Sequence, residues 1–319
     1  MNNLKTKVNG KCYLCQKKTL VVIRDKLRHN IRRRVLRCAN CSLVYLEPQS
    51  GTTGFYRSHY RKKHGPIMGK TLSSRELFEY NLPLQAPRIE QLAKWLKLQA
   101  KVLDIGSSTG HFLYAIKDRV GEVVGVELNL ANADFTRREL GIKVFSEPLE
   151  KLDLPPDYFD LITIYHTFEH VADPLGFLGA VRHCLKPGGK VCIEVPNLDD
   201  ALLSLYQLKK FADFWFIEPH LFYYTPNTLG QMLRRAKFSG EYKTTQAFSL
   251  FNHLNWLVNG QPQGDWKAAS TTPQLPLRGT RAKLRRQLNS WLGKVDQDYR
   301  RLLEKNRLGS MLTFIGTKK

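Results

Sequence analysis

Ionisable side chains that could move a proton or bind a metal ion stand close together in the segment HTFEH. They are His166, Glu169 and His170, and they directly follow an apolar run that predicts a strand. If HTFEH begins a helix, the three positions share one face, because residues three and four apart are neighbours on a helix. His220, in the segment EPHLFYY, is the natural fourth member. These four residues, called the EH cluster below, are the candidate catalytic residues.

The EH cluster allows three interpretations. Glu169 could fix the loop while His170 bonds to the backbone, which is a purely structural role. An imidazole of His166, His170 or His220 could act as a general base without a metal, because the ordinary histidine pKa of about 6.5 suits proton transfer. Alternatively, the imidazoles and the carboxylate could bind a divalent metal that lowers the pKa of an acceptor hydroxyl. The sequence leaves all three open.

A glycine-bracketed turn follows an earlier predicted strand, in the segment VLDIGSSTGHF. Asp104 ends the strand, and Gly106, Ser108 and Gly110 lie in the turn. A side chain at either glycine would hold the backbone away from a ligand. Glu127 closes the next strand, where a carboxylate can accept hydrogen bonds from both hydroxyls of a ribose. The five residues predict a site for an adenosine-containing cofactor, and the GxxxG spacing disfavours a pyrophosphate at the helix N-terminus.

Four of the six cysteines form two CxxC pairs, Cys12 with Cys15 and Cys38 with Cys41. Two such pairs supply four thiolates in the tetrahedral geometry that zinc prefers. The segments LVVIRD and RRRVLRC between the pairs predict the two strands of a ribbon hairpin. A redox dithiol or unrelated thiols are the alternatives. The other two cysteines are predicted to be core residues.

The elements that must position these groups alternate between strands and helices. A helix is predicted near 84–98, and strands are predicted at 101–105, 122–127, 142–146, 159–165, 190–195, 241–251 and 309–317. Such alternation gives a parallel sheet with right-handed crossovers. The predicted fold class is α/β, a doubly wound Rossmann-like sheet with a small N-terminal zinc ribbon and a helical insertion before the last strand.

Three further segments carry a family resemblance: YFDLITIYHTFEHVADP, AVRHCLKPGGKVCIEVPN and EPHLFYYTPNTLGQMLRRAKF. With the glycine turn, they resemble the class I S-adenosylmethionine-dependent methyltransferases that have an EH motif after strand four, an LKPGG turn before strand five and a PN pair after it. The resemblance covers about residues 82–258 and the last strand. It implies that S-adenosylmethionine binds at Asp104, Gly106 and Gly110, with Glu127 at its ribose. Ser107 and Ser108 depart from the commonly Gly-rich middle of this loop.

Two more resemblances concern the flanking groups. The ribbon followed by LVYLEP resembles the N-terminal zinc module of many bacterial methyltransferases acting on sugars and related metabolites, where the module helps shape the acceptor side of the site. A tether for another macromolecule is the competing role. The EH cluster is similar to the ExxEH motif of the metal-dependent O-methyltransferases of small-RNA 3′ ends and of ubiquinone synthesis. His166 stands where those enzymes carry their first acid.

The net charge of +22 is concentrated in two flanks of the chain. Residues 1–70 hold 17 Lys and Arg against two acids, and residues 262–319 hold 13 against four, whereas residues 71–261 hold 20 against 22. Basic surfaces of this size attract anionic partners, namely nucleic acid, acidic lipid, polyanionic glycan or a nucleotide-linked substrate. A solvated surface kept for solubility is the alternative.

The predicted domain organisation follows from these patterns. A basic zinc ribbon and connector occupy 1–70, the cofactor-binding domain occupies 71–258 plus 309–319, and a basic loop-helix insertion occupies 259–308. Within the insertion, apolar residues recur at helical spacing between Arg and Lys. These apolar residues are Leu284, Leu288, Trp291, Val295, Tyr299 and Leu302. The resulting basic amphipathic helix could pack on the domain or on a second subunit, or dock on an anionic membrane.

The sequence therefore predicts an S-adenosylmethionine-dependent methyltransferase with a structural zinc ion. The preferred acceptor is a sugar or related small metabolite, anionic or nucleotide-linked, methylated on oxygen with a histidine as general base. An RNA methyltransferase that uses the basic flanks, with a second divalent metal in the EH cluster, is the alternative, and a non-catalytic binding protein is a third. No secretory signal or membrane-spanning run is found in the sequence, which predicts a cytoplasmic protein. The oligomeric state is not predicted.

Overall fold

The computed structural model describes residues 7–47, 70–277 and 281–319, and these residues form two β-sheets. The predicted connector therefore lies mostly outside the described residues. The strands are β1 (Lys7–Val8), β2 (Leu20–Lys26), β3 (Arg32–Cys38), β4 (Val44–Leu46), β5 (Lys101–Ile105), β6 (Glu122–Val126), β7 (Lys143–Phe145), β8 (Phe159–Tyr165), β9 (Leu185–Pro196), β10 (Phe222–Tyr223), β11 (Phe238–Thr245) and β12 (Met311–Lys318).

The α-helices lie mostly between the strands of the larger sheet. They are α1 (Ser74–Asn81), α2 (Ala86–Leu92), α3 (His111–Ile116), α4 (Leu130–Leu140), α5 (Pro174–Cys184), α6 (Ala201–Ser204), α7 (Lys209–Trp215), α8 (Pro226–Arg235), α9 (Leu250–Asn259), α10 (Trp266–Ser270) and α11 (Ala282–Lys305). No helix in the described ranges has both the length and the apolar character needed to cross a membrane.

The larger sheet has seven strands in the order β11-β12-β9-β8-β5-β6-β7. Strands β5 to β9 pair in parallel, and β12 is antiparallel to both of its neighbours. Alternate residues of the central strands enter separate cores, as Leu103 and Ile162 do on one face and Val102 and Leu161 on the other. The sheet is thus covered on both faces, which confirms the doubly wound α/β fold.

The smaller sheet joins the N-terminal ribbon to the rest of the chain. Its order is β1-β2-β3-β4-β10, and β2 and β3 form the predicted hairpin. The fifth strand, β10, lies far along the chain and pairs antiparallel with β4. Ribbon residues such as Leu36 and Leu46 belong to the same hydrophobic core as Phe222 and Ile164. The ribbon is therefore held by a shared sheet and a shared core.

Two predicted elements have different bounds in the structure. The helix predicted near 84–98 is broken into α2 and short 3-10 segments at Leu82–Gln85 and Ala93–Trp95. Proline lies in the first turn of both the 82–85 segment and α2, because it cannot donate the backbone hydrogen bond that a helix interior needs. The strand predicted at 241–251 ends at Thr245, since Ser249 caps α9 through the backbone N–H of Asn252 at 3.1 Å.

Candidate active site

The cofactor loop begins where β5 ends, at the carboxyl edge of the parallel strands. Gly106 and Gly110 have φ angles of +79° and +69°, in the left-handed region that side chains disfavour. The backbone N–H of Gly106 donates to the carbonyl of Val126 at 2.8 Å, which fastens the loop to the end of β6. A Cβ atom at Gly106 would lie 2.0 Å from the Thr167 hydroxyl, so the loop also packs tightly against the segment that follows β8.

Replacing Gly106 with alanine should destabilise the fold by about 2 to 4 kcal/mol, from backbone strain and the collision with Thr167. The matched control is Gly141→Ala. Gly141 has a similar φ of +66°, but no atom lies within 4 Å of the place a methyl group would take, so only the strain of about 1 kcal/mol remains. Urea unfolding of both variants measures the difference. Equal losses at the two positions would contradict the close packing of Thr167 on the loop.

The two acids of the predicted cofactor site have different environments. Glu127 accepts hydrogen bonds from the backbone N–H groups of Ser108 at 2.8 Å and Asn129 at 2.6 Å, so its carboxylate is held at the mouth of the loop. Asp104 instead lies buried beneath the loop, and its Oδ1 accepts a hydrogen bond from the Thr163 hydroxyl at 2.7 Å. Glu127 is thus held at the loop by backbone hydrogen bonds, whereas Asp104 supports the loop from below.

The stability of the protein should depend on pH through Asp104. Burial raises its pKa to about 6, although the hydrogen bond from Thr163 opposes the rise. The folded chain therefore holds this proton more tightly than the unfolded chain does. The corresponding stabilisation is complete below about pH 4 and is lost as the pH rises through 6, a change of about 3 kcal/mol.

The variant Asp104→Asn removes this titration while it keeps an oxygen for Thr163. We expect its unfolding free energy, relative to wild type, to increase by up to about 3 kcal/mol between pH 4 and pH 7.5. The same substitution at the exposed Asp153 is the control. Urea unfolding at both pH values gives the answer, and a difference that stays constant with pH would contradict the role of burial.

The EH cluster is brought together by a turn, and not by the helix considered from the sequence. Only Phe168–His170 form a 3-10 turn, and His166 has a φ of +48°. The three imidazoles nevertheless surround one carboxylate oxygen, Glu169 Oε1. His166 Nδ1 lies 3.8 Å away, His170 Nε2 lies 3.9 Å away and His220 Nε2 lies 4.0 Å away.

Glu169 has unusual surroundings for a buried carboxylate. Its side chain is 2% exposed, and neither oxygen accepts a hydrogen bond from any described residue. Burial raises the pKa of Glu169, but the imidazoles, His170 foremost, lower it by more. The carboxylate is therefore ionised and faces a space from which a proton or a cation could be shared. Within the described residues, the loop is therefore not held by a hydrogen bond to the Glu169 side chain.

The orientation of His170 is set by the backbone. Its Nδ1 lies 2.8 Å from the carbonyl oxygen of Pro219, which can only accept, so Nδ1 carries the proton of this hydrogen bond. In the neutral ring, Nε2 then keeps its lone pair and faces Glu169. Ligand atoms of Glu169, His170 and His220 all lie within 4.8 Å of one another. Such a set can accept a proton or hold a divalent cation.

His166 differs from the other two imidazoles because it contacts a second acid. Its Nε2 lies 3.4 Å from Glu194, which in turn is 2.7 Å from the guanidinium of Arg88. Burial lowers the pKa of His166, but the nearby carboxylates of Glu169 and Glu194 raise it overall to about 9. His166 is therefore an imidazolium at neutral pH, which makes it a poor general base.

Three residues near the EH cluster were not predicted from the sequence. They are Glu194, Arg88 and Trp266, whose ring centroid lies 6.4 Å from that of His166. Glu194 could have been selected from the sequence as a candidate site residue, because it is the one acid in the otherwise apolar end of β9. Arg88 and Trp266 could not have been selected, because they reach the cluster from an N-terminal helix and from the insertion.

The four cysteines of the CxxC pairs converge as the ribbon prediction requires. Their sulfur atoms all lie within 4.8 Å, with Cys12 to Cys41 and Cys15 to Cys38 each at 3.5 Å. Four sulfurs about 2.3 Å from one zinc ion would lie about 3.8 Å apart, so the set fits zinc. Burial opposes ionisation of Cys38, but hydrogen bonds, led by that of Thr19, lower its pKa to about 6. Burial raises the pKa values of Cys12 and Cys41, so zinc would have to displace their protons, but the arrangement of the four sulfur atoms already fits the ion.

The ribbon lies directly beside the EH cluster. The backbone N–H of Leu46, in β4, donates to the carbonyl of Leu221 at 2.8 Å, and the N–H of Leu221 donates to the carbonyl of Glu169 at 2.8 Å. On the same side, the hydroxyl of Tyr13 bonds to Asp173. One ladder of hydrogen bonds therefore connects the zinc ribbon to the central acid of the cluster.

Fold and site together define an S-adenosylmethionine-dependent methyltransferase. A family profile described as "Methyltransferase domain" matches residues 77–242, which is more than half of the chain. The chain belongs to this family, which confirms the class predicted from its motifs and its dependence on S-adenosylmethionine. The loop fits this cofactor, because its glycines leave the end of β5 open and the Glu127 carboxylate, which could accept hydrogen bonds from ribose hydroxyls, is bonded to the loop at Ser108.

Known relatives share only part of the chain. The ubiquinone biosynthesis O-methyltransferase of Pseudomonas syringae pv. tomato is 33% identical over 103 residues, which are 30% of this chain and 44% of that protein. The protein of the same name from Idiomarina loihiensis is 35% identical over 103 residues, 30% of this chain and 42% of its own. The chain thus spans less than half the length of these curated relatives.

Solved methyltransferase structures align with a larger share of the chain at lower identity. An S-adenosylmethionine-dependent methyltransferase from Archaeoglobus fulgidus is 21% identical, with 77% of this chain and 97% of that chain covered and a TM-score of 0.49. An S-adenosylmethionine-dependent methyltransferase from Thermotoga maritima, described as a possible histamine N-methyltransferase, is 22% identical, with coverage of 77% and 98% and a TM-score of 0.46.

Proposed function

We propose that the protein transfers a methyl group to a hydroxyl of a sugar or related small metabolite, with His170 as the general base. The observation that carries this proposal is the position of the EH cluster. Thr167, between His166 and the 3-10 turn, packs on Gly106 of the cofactor loop, so donor loop and proton acceptors adjoin. The names of the curated relatives, which are O-methyltransferases, favour oxygen as the acceptor atom.

His170 and Glu169 of the EH cluster are proposed to have separate roles in methyl transfer. S-adenosylmethionine supplies a methyl group on a positively charged sulfur. The chain has to align the acceptor with it and remove the hydroxyl proton. His170 Nε2 takes that proton, and Glu169, 3.9 Å away, stabilises the imidazolium that results. The hydrogen bond from Nδ1 to Pro219 keeps the ring in the required orientation.

Two substitutions of His170 remove its two ring nitrogens one at a time, Nε2 as the proposed base and Nδ1 as the hydrogen-bond donor to Pro219. His170→Asn keeps an amide N–H near the position of Nδ1 and loses Nε2, whereas His170→Gln places a polar atom near Nε2 and loses the hydrogen-bond donor. We expect both variants to bind S-adenosylmethionine with affinity similar to wild type and to lose about 100-fold or more in kcat. Transfer of labelled methyl to a panel of sugar and nucleotide-sugar acceptors is the measurement. Full activity in His170→Asn would contradict the assignment of the base.

Methyl transfer assisted by a divalent cation in the EH cluster is the second candidate mechanism. The Glu169 side chain has no hydrogen bond within the described residues, and ligand atoms of His170 and His220 lie within 4.8 Å of its carboxylate. Glu169, His170 and His220 would hold the cation, and it would lower the pKa of the acceptor hydroxyl. Exhaustive chelation, with ribbon zinc shown to be intact, tests this. Full activity contradicts the cation, whereas a loss that Mg²⁺ or Mn²⁺ reverses supports it.

The acceptor is proposed to be anionic or nucleotide-linked because the ribbon presents basic side chains close to the cluster. Burial is the main cause of the lowered pKa of His220 and of the raised pKa of Tyr223, and the charges of Arg28 and Arg33 lie near enough to favour a lower pKa at His220 and at Tyr223, respectively. An RNA acceptor would use the same side chains. Binding to generic RNA should then weaken steeply with salt, and a flat dependence would exclude it. Two CxxC pairs spaced for a metal site are typical of proteins in a reducing compartment, which favours a cytoplasmic location.

A further inference from the structure

The first half of α11 carries an apolar stripe that is left exposed in the part of the chain that the structure describes. Leu284, Leu288 and Trp291 are spaced four and three residues apart, so they share one helix face. Their exposed fractions are 48%, 39% and 59%. The buried residues of this helix are Asp296 and Leu303, both in its second half.

The second half of α11 anchors the helix and leaves the first half to project. Asp296 accepts hydrogen bonds from the backbone N–H of Leu250 at 2.6 Å, from Thr272 at 2.6 Å and from the guanidinium of Arg300 at 3.0 Å. These bonds attach α11 to α9 and to the preceding loop. The orientation of the projecting half is therefore defined by the fold.

The charged residues in the first half of α11 all have one sign. Residues 281–294 contain five Lys and Arg and no acid. A surface groove beside Trp291 is lined by Arg286 and Lys294 together with Gln287 and Ser290. Cationic groups of this kind can bind lipid phosphates while the neighbouring apolar side chains enter the acyl boundary.

A neighbouring loop extends the apolar surface. Leu275 exchanges hydrogen bonds with Asn289, since its N–H donates to Oδ1 at 2.7 Å and its carbonyl accepts from Nδ2 at 3.0 Å. This arrangement fixes the loop alongside the helix. Leu275 and Leu277 are themselves 39% and 51% exposed. Five large apolar side chains thus lie on or beside a half-helix that is otherwise basic.

We propose that the first half of α11, with the loop at Leu275 and Leu277, docks the protein on an anionic membrane surface. An exposed apolar face with basic flanks matches an interfacial helix, which lies in the plane of the headgroups and does not span the bilayer. A nucleic acid would use the basic side chains but would leave Leu284 and Leu288 without a role. The docking surface is independent of the acceptor and of the base proposed above.

The test uses the full-length protein and vesicles of phosphatidylglycerol mixed with phosphatidylcholine, compared with vesicles of phosphatidylcholine alone. We expect co-sedimentation with the anionic vesicles only, weakened by salt. The double variant Leu288→Ser and Trp291→Ser should bind these vesicles at least about tenfold more weakly than wild type. The double variant Arg285→Glu and Arg286→Glu should show a similar loss. Brominated lipids should quench tryptophan fluorescence in wild type more than in Trp291→Phe.

The matched control is Leu98→Ser, the same chemical change at a leucine that is 76% exposed outside this surface. Its vesicle binding should equal that of wild type. Three results would overturn the proposal: binding to anionic vesicles that persists in the Leu288 and Trp291 variant, no vesicle binding at all, or self-association in sedimentation velocity that this variant abolishes. Since every readout is binding, failure here would leave the methyltransferase proposal untouched.

Discussion

Glu169→Gln should lower kcat by about 100-fold to 10,000-fold while S-adenosylmethionine binding stays close to that of wild type. The carboxylate is ionised because the surrounding imidazoles overcome the effect of burial on its pKa. Glutamine is neutral, so it cannot stabilise a protonated His170. Its amide group can also donate to Nε2 of His170, 3.9 Å from the present oxygen, and would then occupy the lone pair needed for the substrate proton.

The same variant separates a chemical role from a structural one. The Glu169 side chain accepts no hydrogen bond from the described residues that glutamine would lose, so the melting temperature should fall only by what its charge interaction with His166 contributes. The control is Glu241→Gln, the same change at an exposed position of β11. Activity and thermal unfolding are measured on both proteins. If Glu169→Gln keeps kcat within about threefold of wild type, the EH cluster is not the site of proton transfer.

Cys38→Ser should unfold the ribbon and abolish methyl transfer. Structural zinc sites contribute on the order of 10 kcal/mol to the folding of small domains, and a serine hydroxyl does not replace a thiolate ligand. Unfolding of the ribbon should also disrupt the EH cluster, because β10 begins two residues after His220 and pairs with β4 of the ribbon. Once β4 is released, the backbone contacts from Leu46 through Leu221 to Glu169 have no support.

The control for this loss is Cys184→Ser, which makes the same change at a buried cysteine outside the cluster. It should cost about 1 to 3 kcal/mol through a buried hydroxyl and should leave zinc content and activity in place. Zinc is measured by atomic emission, folding by near-ultraviolet circular dichroism, and activity by methyl transfer. A Cys38→Ser protein that lacks zinc but retains wild-type kcat would show that the ribbon does not support the catalytic site.

Much of the fold was predictable because its signals are local. The strands at 101–105 and 159–165 have the same bounds in the structure, since each is a mainly apolar and mainly buried run. The helix predicted near 84–98 was wrong in its extent, although Pro83 and Pro87 marked the breaks. The last strand lies at Met311–Lys318, close to the predicted 309–317.

The candidate site was predictable in its members and less so in its geometry. Parallel strands bring their carboxyl ends to one edge, so residues after β5, β6 and β8 had to gather there. The backbone conformation of HTFEH was not predictable from the sequence. His166 has a left-handed φ, and its backbone N–H donates to the carbonyl of the distant Glu194. Glu194, which helps to keep His166 protonated, pairs with Arg88, which lies 106 residues away in sequence, and no local pattern relates the two.

The sequence by itself determined the class of fold, the family, the cofactor loop and the four thiols, because each of these depends on residue types at short, regular spacing. Only the tertiary structure decided that β10 joins the ribbon's sheet, that one carboxylate lies among three imidazoles, and that the first half of α11 stays exposed in the described part of the chain. These features arise from packing between segments far apart in the chain. Burial, hydrogen-bond partners and pKa shifts are properties of that packing, and the order of the amino acids alone does not display them.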